Sequence, residues 1–339
     1  MFKRFFKPLY LCVFTAVIFF IVLILFPEKA KEGVTYGIML SGSVIIPSFF
    51  PFTVCVLFIL RTGILDKIHL KSEIAVMIMS FIGGYPLGAK TVNEMYKLKK
   101  INQKKAGLML CYCVNAGPSF IISAIGVGML QSKTLGYILL FAHIASSLIN
   151  ALIIKIFFDK KETVVIKKND NPTNLADTFV NSVADGASSV FAICTFVILF
   201  STINAYLLYL ANKFELLKFL IYLTEVTTAS AYTKNVYLIA FLLGFSGLCI
   251  WCQVFSYFAG TKVKMLPFII SRFTGGLLSS GIVFIITKFA NITLPTLSNA
   301  LSYQKKLSFS GIEVSVSLVC MIIIFLISLS KKRLQIDLK

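Results

Sequence analysis

Long apolar segments recur along this chain, with short polar stretches between them. A transmembrane helix needs about 20 consecutive, mostly apolar residues. The apolar runs lie at 9–26, 35–60, 74–96, 106–130, 134–158, 176–210, 236–260, 265–289 and 311–330. This pattern predicts an all-α polytopic membrane protein.

Composition agrees with a membrane protein and narrows its partners. The 339 residues are 58% hydrophobic and 14% charged, and the net charge is +19. The basic residues cluster in short loops, as the positive-inside rule and anionic lipid head groups favour. Because no basic soluble module is present, we predict contact with the lipid bilayer and no nucleic-acid binding. Association with further copies of the chain is left open.

Cysteine and histidine usage predicts neither a metal site nor a cofactor. All eight cysteines lie in apolar runs, and the two histidines are far apart in sequence, whereas a structural zinc site takes about four ligands. The "CIWC" stretch, Cys249 to Cys252, has redox spacing, but small apolar packing residues are the favoured interpretation. We find no nucleophile, metal cluster or carboxylate pair at recognisable spacing, so the chain is predicted not to be an enzyme.

The polar stretches divide the chain into five parts. A basic N-terminus before the first apolar run predicts an uncleaved signal-anchor span with its N-terminus inside. The parts are this span at 1–33, a first repeat at 34–158, a polar linker at 159–175, a second repeat at 176–330 and a basic tail at 331–339.

The apolar stretch 74–96 is interrupted at its centre by "GGYPLG", residues 83–88. Both flanking loops, 61–73 and 97–105, are basic, and a chain that enters and returns would keep both on one side. Each arm of about 11 residues reaches about 16 Å, half a bilayer. The stretch therefore predicts a re-entrant helical hairpin, with a glycine-kinked full span as the alternative. Its unpaired backbone amides would face a cavity or a ligand.

A second interruption of the same kind indicates an internal repeat. "GFSG" at 244–247 aligns with the first break at an offset of 160 residues, and "SRFTGGLLSS" at 271–280 then falls beside "CYCVNAGPSF" at 111–120. Each repeat is thus predicted to hold one re-entrant hairpin and one broken helix, and transporters often invert such repeats. An inverted second half leaves the side of the basic tail unresolved, because the mixed stretch 213–233 either crosses or lies at the interface.

Three motifs, "GGYPLGAKTVNEM", "NAGPSFIISAIGVG" and "GFSGLCIWCQV", resemble the YlbJ-type sporulation integral membrane proteins of the nucleoside-recognition (Gate) domain superfamily. The resemblance covers most of 35–330 and extends to the concentrative nucleoside transporters. It implies two inverted repeats around one central substrate site, working by alternating access. It also implies export of dipicolinate, a small anion, in the cell membrane or outer forespore membrane of an endospore former.

The same resemblance implies which residues bind the solute, since hairpin tips and broken helices do so in the nucleoside transporters. Carried over by position, the candidates are Gly84, Tyr85, Pro86, Gly88, Asn115, Ser119, Ser246, Gly247, Arg272 and Thr274. The first tip reads Tyr-Pro-Leu where those transporters have Gln-Thr-Glu. This difference argues against a nucleoside as the solute. The alternatives to dipicolinate export are transport of a nucleoside or other small solute, or a non-transporting scaffold or sensor for sporulation.

Two charged residues in the second half suggest how an anion is handled. Arg272 lies inside an apolar run, where a charge costs about 2.5 kcal/mol or more at mid-bilayer. A guanidinium suits a carboxylate, so Arg272 is predicted to contact the solute. The alternatives are a pair with Glu225 or a side chain that reaches the interface. Glu225 is the candidate for ion or proton coupling.

Overall fold

The computed structural model describes residues 8–64, 72–158, 174–290 and 319, and within these ranges the chain is helical and contains no strand. The α-helices are α1 (Pro8–Leu25), α2 (Pro27–Leu40), α3 (Ile46–Arg61), α4 (Ser72–Gly83), α5 (Tyr85–Lys97), α6 (Gln103–Leu110), α7 (Lys133–Phe157), α8 (Leu175–Ala211), α9 (Lys218–Thr224), α10 (Val226–Ala231), α11 (Val236–Phe245), α12 (Gly247–Tyr257) and α13 (Leu266–Phe289). Two π-helical segments, Ser41–Ile45 and Phe120–Met129, and a short 3₁₀ segment, Glu215–Leu217, complete it. Most of the predicted run 311–330, most of the linker and the whole basic tail lie outside the described residues.

Several helices are long and apolar enough to cross a membrane. Among the described residues there are four, Lys133–Phe157, Leu175–Ala211, Val236–Tyr257 and Leu266–Phe289. A fifth candidate is the pair Cys12–Leu25 and Pro27–Ser43, which is bent by 102°. These spans confirm the predicted all-α, multi-pass architecture.

The segment between the first two apolar runs is helical. Helix α2 begins at Pro27, directly after the bend at Phe26. Proline suits the first turn of a helix, where its missing N–H has no intrahelical partner. Pro47 has the same position at the start of α3, so the chain stays helical from 27 to 61.

Two glycines bring α2 against the long helix α8. A Cβ added at Gly33 would lie 2.5 Å from the Cα of Thr202, and one added at Gly37 would lie 2.6 Å from the Cα of Ile198. Such small residues four apart allow backbones to approach closely in membrane helices. This contact fixes α2 on the second half of the chain.

The first predicted hairpin is present, because α4 and α5 fold back on each other at Gly84. Ser80 and Gly88 would be about 12 Å apart in a continuous helix. Instead, a Cβ added at Gly88 would lie 2.7 Å from the Cβ of Ser80. Gly84 has φ +86°, a conformation that glycine adopts without strain, and Pro86 starts the returning helix.

The first predicted broken helix is also present. Helix α6 ends at Leu110, and helical structure resumes only at Pro118. A Cβ added at Gly88 would lie 1.6 Å from the carbonyl oxygen of Cys113. The unwound segment 111–117 therefore packs directly against the returning arm of the hairpin.

The prediction of a second hairpin around residues 244–247 is wrong. Helices α11 and α12 follow one another as one 22-residue candidate span, Val236–Tyr257. Ser246 and Gly247 have positive φ values of 67° and 78° and offset the helix without reversing it. No proline follows, and Gly244 serves a helix crossing instead: a Cβ there would lie 2.5 Å from the Cα of Gly276 on α13.

The prediction of a second broken helix at Ser271 to Gly275 is wrong as well. These residues lie inside α13, which is continuous from Leu266 to Phe289. In the second half, the irregular segment is the mixed stretch 213–233. Its helices α9 and α10 have 7 and 6 residues, too few for either to span about 30 Å of hydrocarbon.

The buried apolar side chains form two cores. The larger core joins the hairpin, α6, α7 and the helices α11 to α13. The smaller core lies between the Ser41–Ile45 segment, the start of α3 and the middle of α8. A charge cluster also bridges the chain halves: Arg61 contacts Glu94 of α5 at 2.6 Å and Asp185 of α8 at 2.7 Å.

Candidate functional site

A cavity of about 750 Å³ lies between the hairpin tip and the smaller core. Its wall is mainly apolar and aromatic, with Tyr36, Leu40, Ile45, Phe49, Phe52, Phe120, Met129, Ile193 and Val197. The polar side chains on it are those of Ser43, Ser119, Ser123, Glu225, Thr227 and Gln253. A concave, mostly apolar space with a few polar groups is the usual form of a small-molecule site.

Two helix starts meet in this wall. Helix α5 begins after Gly84, and helical structure resumes at Pro118 after Gly117. A Cβ added at Gly117 would lie 3.5 Å from the Cα of Gly84, so the two backbones are in contact. The first amides of a helix lack intrahelical acceptors and carry its positive dipole end.

Carbonyl groups reach the same place from the other arm of the hairpin. Helix α4 ends at Gly83, and both Ile82 and Gly83 line the cavity. The last carbonyls of a helix lack intrahelical donors. Residues from both arms of the hairpin, Ile82 to Pro86, therefore line the cavity.

Glu225 is a buried carboxylate that also lines the cavity. It accepts hydrogen bonds from the backbone N–H of Thr227 at 2.9 Å, and from the backbone N–H and the hydroxyl of Thr228 at 2.7 and 3.0 Å. Gly247 makes room for it, because a Cβ there would lie 3.3 Å from the Cα of Glu225. No cationic partner contacts Glu225 within the described ranges.

Tyr85 is anchored at both ends of its ring. Its hydroxyl donates to the carbonyl of Leu243 at 2.6 Å, and its ring packs edge-on against His143 at 6.3 Å between centroids. His143 accepts a hydrogen bond from the backbone N–H of Ala116 at 2.9 Å. The ring thus fixes the hairpin tip to α11 and, through α7, to the unwound segment.

Arg272 is buried and bonded to the protein's own backbone. Its Nη1 donates to the carbonyl of Val114 at 2.6 Å, and its Nη2 donates to that of Cys111 at 2.7 Å. It neither lines the cavity nor pairs with Glu225, and at 4% exposure it does not reach the surface. The two sequence-based alternatives for Arg272 are therefore wrong, and its role here is to satisfy carbonyls of the unwound segment.

Two further candidates from the first half support the break and do not line the cavity. The Nδ2 of Asn115 donates to the hydroxyl of Ser80 at 2.9 Å and to the carbonyl of Tyr112 at 2.8 Å. Gly88 allows the close contact with Cys113 described above. The sequence could not separate such supporting residues from lining residues, because both lie beside the break.

The remaining second-half candidates also lie away from the cavity wall. Ser246 is fully buried, with its hydroxyl 2.6 Å from the carbonyl of Phe245. The hydroxyl of Thr274 contacts Asn150 of α7 at 3.2 Å. Gly247 does not line the wall. Because it has no side chain, it leaves room for Glu225, which does.

Of the predicted site residues, the structure brings five together in the cavity wall: Gly84, Tyr85, Pro86, Ser119 and Glu225. It places six outside that wall: Gly88, Asn115, Ser246, Gly247, Arg272 and Thr274. Gln253 and Phe49 also line the cavity and were not predicted from the sequence. Gln253 could have been found, since it is a lone amide in an otherwise apolar run.

The cavity wall has no lysine or arginine among the described lining residues, and Glu225 is its one carboxylate there. The same parts of the chain hold no group of three or more His, Cys, Asp or Glu side chains placed to bind a metal ion. Cys249 and Cys252 are free thiols.

This fold and cavity define a multi-pass, all-helical integral membrane protein with a cavity beside the tip of its hairpin. The chain is 23% identical to the sporulation integral membrane protein YlbJ of Bacillus subtilis, in an alignment of 320 residues covering 77% of this chain and 78% of that protein. This similarity confirms the resemblance to the YlbJ-type family. No family model and no solved structure matches the chain. The relation to Gate domains and nucleoside transporters stays a prediction.

Proposed function

We propose that this protein carries a small anionic solute across a membrane through this cavity, and that the solute is dipicolinate during endospore formation. The relative's name supports a membrane role in sporulation, and the YlbJ-type resemblance implies dipicolinate as cargo and the outer forespore membrane as the location. The expectation that the chain is not an enzyme stays part of this proposal.

The observation that carries the proposal is the contact between Gly84 and Gly117 in the cavity wall. Two helix starts converge there, and helix starts bind carboxylate and phosphate groups through backbone N–H donors. Arg272 covers carbonyls at the other side of the break, which leaves the donor end to face the solute. Broken helices in transporters use their N-termini for anionic substrates in this way.

In this proposal, Glu225 couples the movement of the solute to that of a proton. An ionised Glu225 and an anionic solute in one cavity of low dielectric repel each other strongly. A proton on either group removes this repulsion, so we expect one proton to travel with each solute. In Glu225→Gln protein, solute flux should persist while fewer protons move with each solute.

The test is uptake of labelled dipicolinate into liposomes that contain the purified protein. Gly84→Leu places a side chain at a positive-φ residue beside the Phe49 ring, 3.2 Å from a Cβ there, and should abolish uptake. Gly281→Leu is the matched control, because a Cβ at Gly281 meets nothing within 4 Å. It should leave uptake unchanged.

Saturable uptake by the unchanged protein and by Gly281→Leu, lost in Gly84→Leu, supports the proposal. A labelled nucleoside is offered in parallel, and uptake of that compound alone would replace dipicolinate as the substrate. No uptake of either compound by correctly inserted protein would contradict transport and favour the scaffold or sensor alternative.

A further inference from the structure

One buried side-chain amide in the cavity wall has an oxygen without a hydrogen-bond partner. Gln253 lies on α12, is 1% exposed and lines the cavity. Its Nε2 donates to the sulfur of Cys249 at 3.3 Å. Its Oε1 has no donor in the described part of the chain.

An unpartnered buried acceptor is unfavourable. Burying an amide oxygen without a donor costs about 1–3 kcal/mol in proteins, and most such groups in native structures are paired. Because Gln253 lines the cavity, a rotation of its side chain would bring Oε1 to a solute group that supplies the missing donor.

Gln253 also has a fixed position relative to Glu225. Helix α12 starts at Gly247, whose backbone contacts that of Glu225, and both Glu225 and Gln253 line the cavity. Glu225 and Gln253 place oxygen acceptors in this wall, and in the proposed function the helix starts after Gly84 and Gly117 supply N–H donors to the solute. The two walls therefore complement a solute with a carboxylate at one end and an O–H or N–H donor at the other.

We propose that Gln253 is a solute-binding residue whose Oε1 accepts a hydrogen bond from the protonated end of the cargo. This inference rests on the proposed function and names the bound form of the solute: a dicarboxylic acid that keeps one proton. For dipicolinate, one carboxylate binds at the helix starts and the other carboxyl, still protonated, donates to Gln253.

A comparison of two ligands and two variants tests the assignment. Dipicolinate and its monomethyl ester both carry one carboxylate at a pH where dipicolinate holds one proton, but the ester cannot donate from its second carboxyl. Gln253→Leu removes the acceptor. Asn93→Leu is the control, because Asn93 is also 1% exposed and its Oδ1 is also unpartnered in the described structure, yet it does not line the cavity.

Binding is measured by calorimetry on detergent-purified protein, with thermal unfolding recorded for each variant. The unchanged protein and Asn93→Leu should bind dipicolinate about tenfold more tightly than the ester, the effect of about one hydrogen bond. In Gln253→Leu this ratio should fall to about one, through weaker binding of dipicolinate alone.

Two results overturn the assignment while leaving transport intact: a tenfold preference retained in Gln253→Leu, or an equal loss in Gln253→Leu and Asn93→Leu. A protein that binds neither ligand and shows no dipicolinate uptake overturns the proposed function itself, and this inference with it.

Discussion

The regions 72–129 and 236–289 carry similar glycine-containing interruptions but fold differently. In the first, the chain reverses at Gly84 and unwinds at 111–117. In the second, α11 and α12 make one 22-residue candidate span, and α13 is continuous. A glycine in an apolar helix thus marks either a reversal of the chain or a close helix crossing.

The residues around each glycine explain the difference. At the first break Pro86 begins a new helix and removes a donor from it, so the helix cannot continue. At the second break no proline follows, and Gly244 lies against Gly276. Arg272 then connects the regions, because the continuous helix α13 supplies the donors that the unwound segment lacks.

The largest expected difference between the two regions concerns membrane topology. The residues that flank the first hairpin should lie on one side of the membrane, and those that flank the span Val236–Tyr257 should lie on opposite sides. Single cysteines at Ile64 and Lys100 should react with a membrane-impermeant maleimide from the same face, because a hairpin lies between them. Cysteines at Lys234 and Lys262 should react from opposite faces, since a full span separates them. The unsubstituted protein gives the background from its native cysteines.

Labelling of the first pair from opposite faces would contradict the re-entrant hairpin. Labelling of the second pair from one face would restore the second hairpin that the sequence predicted.

The next contrast is the stability of glycine variants. Gly88→Ala should lower the free energy of unfolding by about 3 kcal/mol or prevent folding, because its Cβ would lie 1.6 Å from the Cys113 carbonyl oxygen. Gly244→Ala should cost about 2 kcal/mol by separating α11 from α13. Thermal unfolding in detergent measures both.

Gly281→Ala is the control for this pair. A Cβ there meets nothing within 4 Å, so its stability should rise by up to about 1 kcal/mol through helix propensity. A Gly88→Ala protein as stable as Gly281→Ala would refute the tight packing of the hairpin on the unwound segment.

A smaller effect is expected from Arg272→Met, which keeps most of the side-chain volume and removes the donors. The carbonyls of Cys111 and Val114 would lose their partners, at a cost of about 2 kcal/mol in unfolding free energy. Dipicolinate affinity of the folded fraction should stay within about threefold of that of the unchanged protein. Lys264→Met, an exposed change on the same part of the chain, should alter neither quantity.

A large loss of affinity in Arg272→Met without a loss of stability would reverse this assignment. It would return Arg272 to the solute contact that its sequence position first suggested.

The smallest effect concerns Ser246, a non-glycine residue with φ +67°. Ser246→Gly should raise the unfolding free energy by about 0.5 kcal/mol, because glycine adopts this conformation without strain. Dipicolinate uptake should not change, since Ser246 does not line the cavity. Reduced uptake would identify Ser246 as a solute ligand after all.

The first hairpin could be predicted because its causes are local in sequence. Glycine at a reversal, proline two residues later and basic loops on both sides all lie within one stretch. The role of Gly244 depends on Gly276, on another helix, and that partner is visible only after folding. The same holds for Arg272, whose acceptors lie far away in sequence at Cys111 and Val114.

The cavity was predictable only on one side. Gly84, Tyr85, Pro86 and Ser119 follow from the breaks they belong to. The facing wall comes from the Ser41–Ile45 segment and the middle of α8, which carry no break motif and are placed by close packing of α2 on α8. An apolar pattern tells which residues avoid water, but not which of them leave a space.

The two separate cores have a mechanical consequence. The cavity lies along a seam between them, and apolar surfaces that pack separately can slide or part at lower cost than a single interlocked interior. Arg61 connects α5 to α8, because it contacts Glu94 on the first helix and Asp185 on the second. Any movement that separates α5 from α8 must therefore break the contact of Arg61 with one of these two carboxylates.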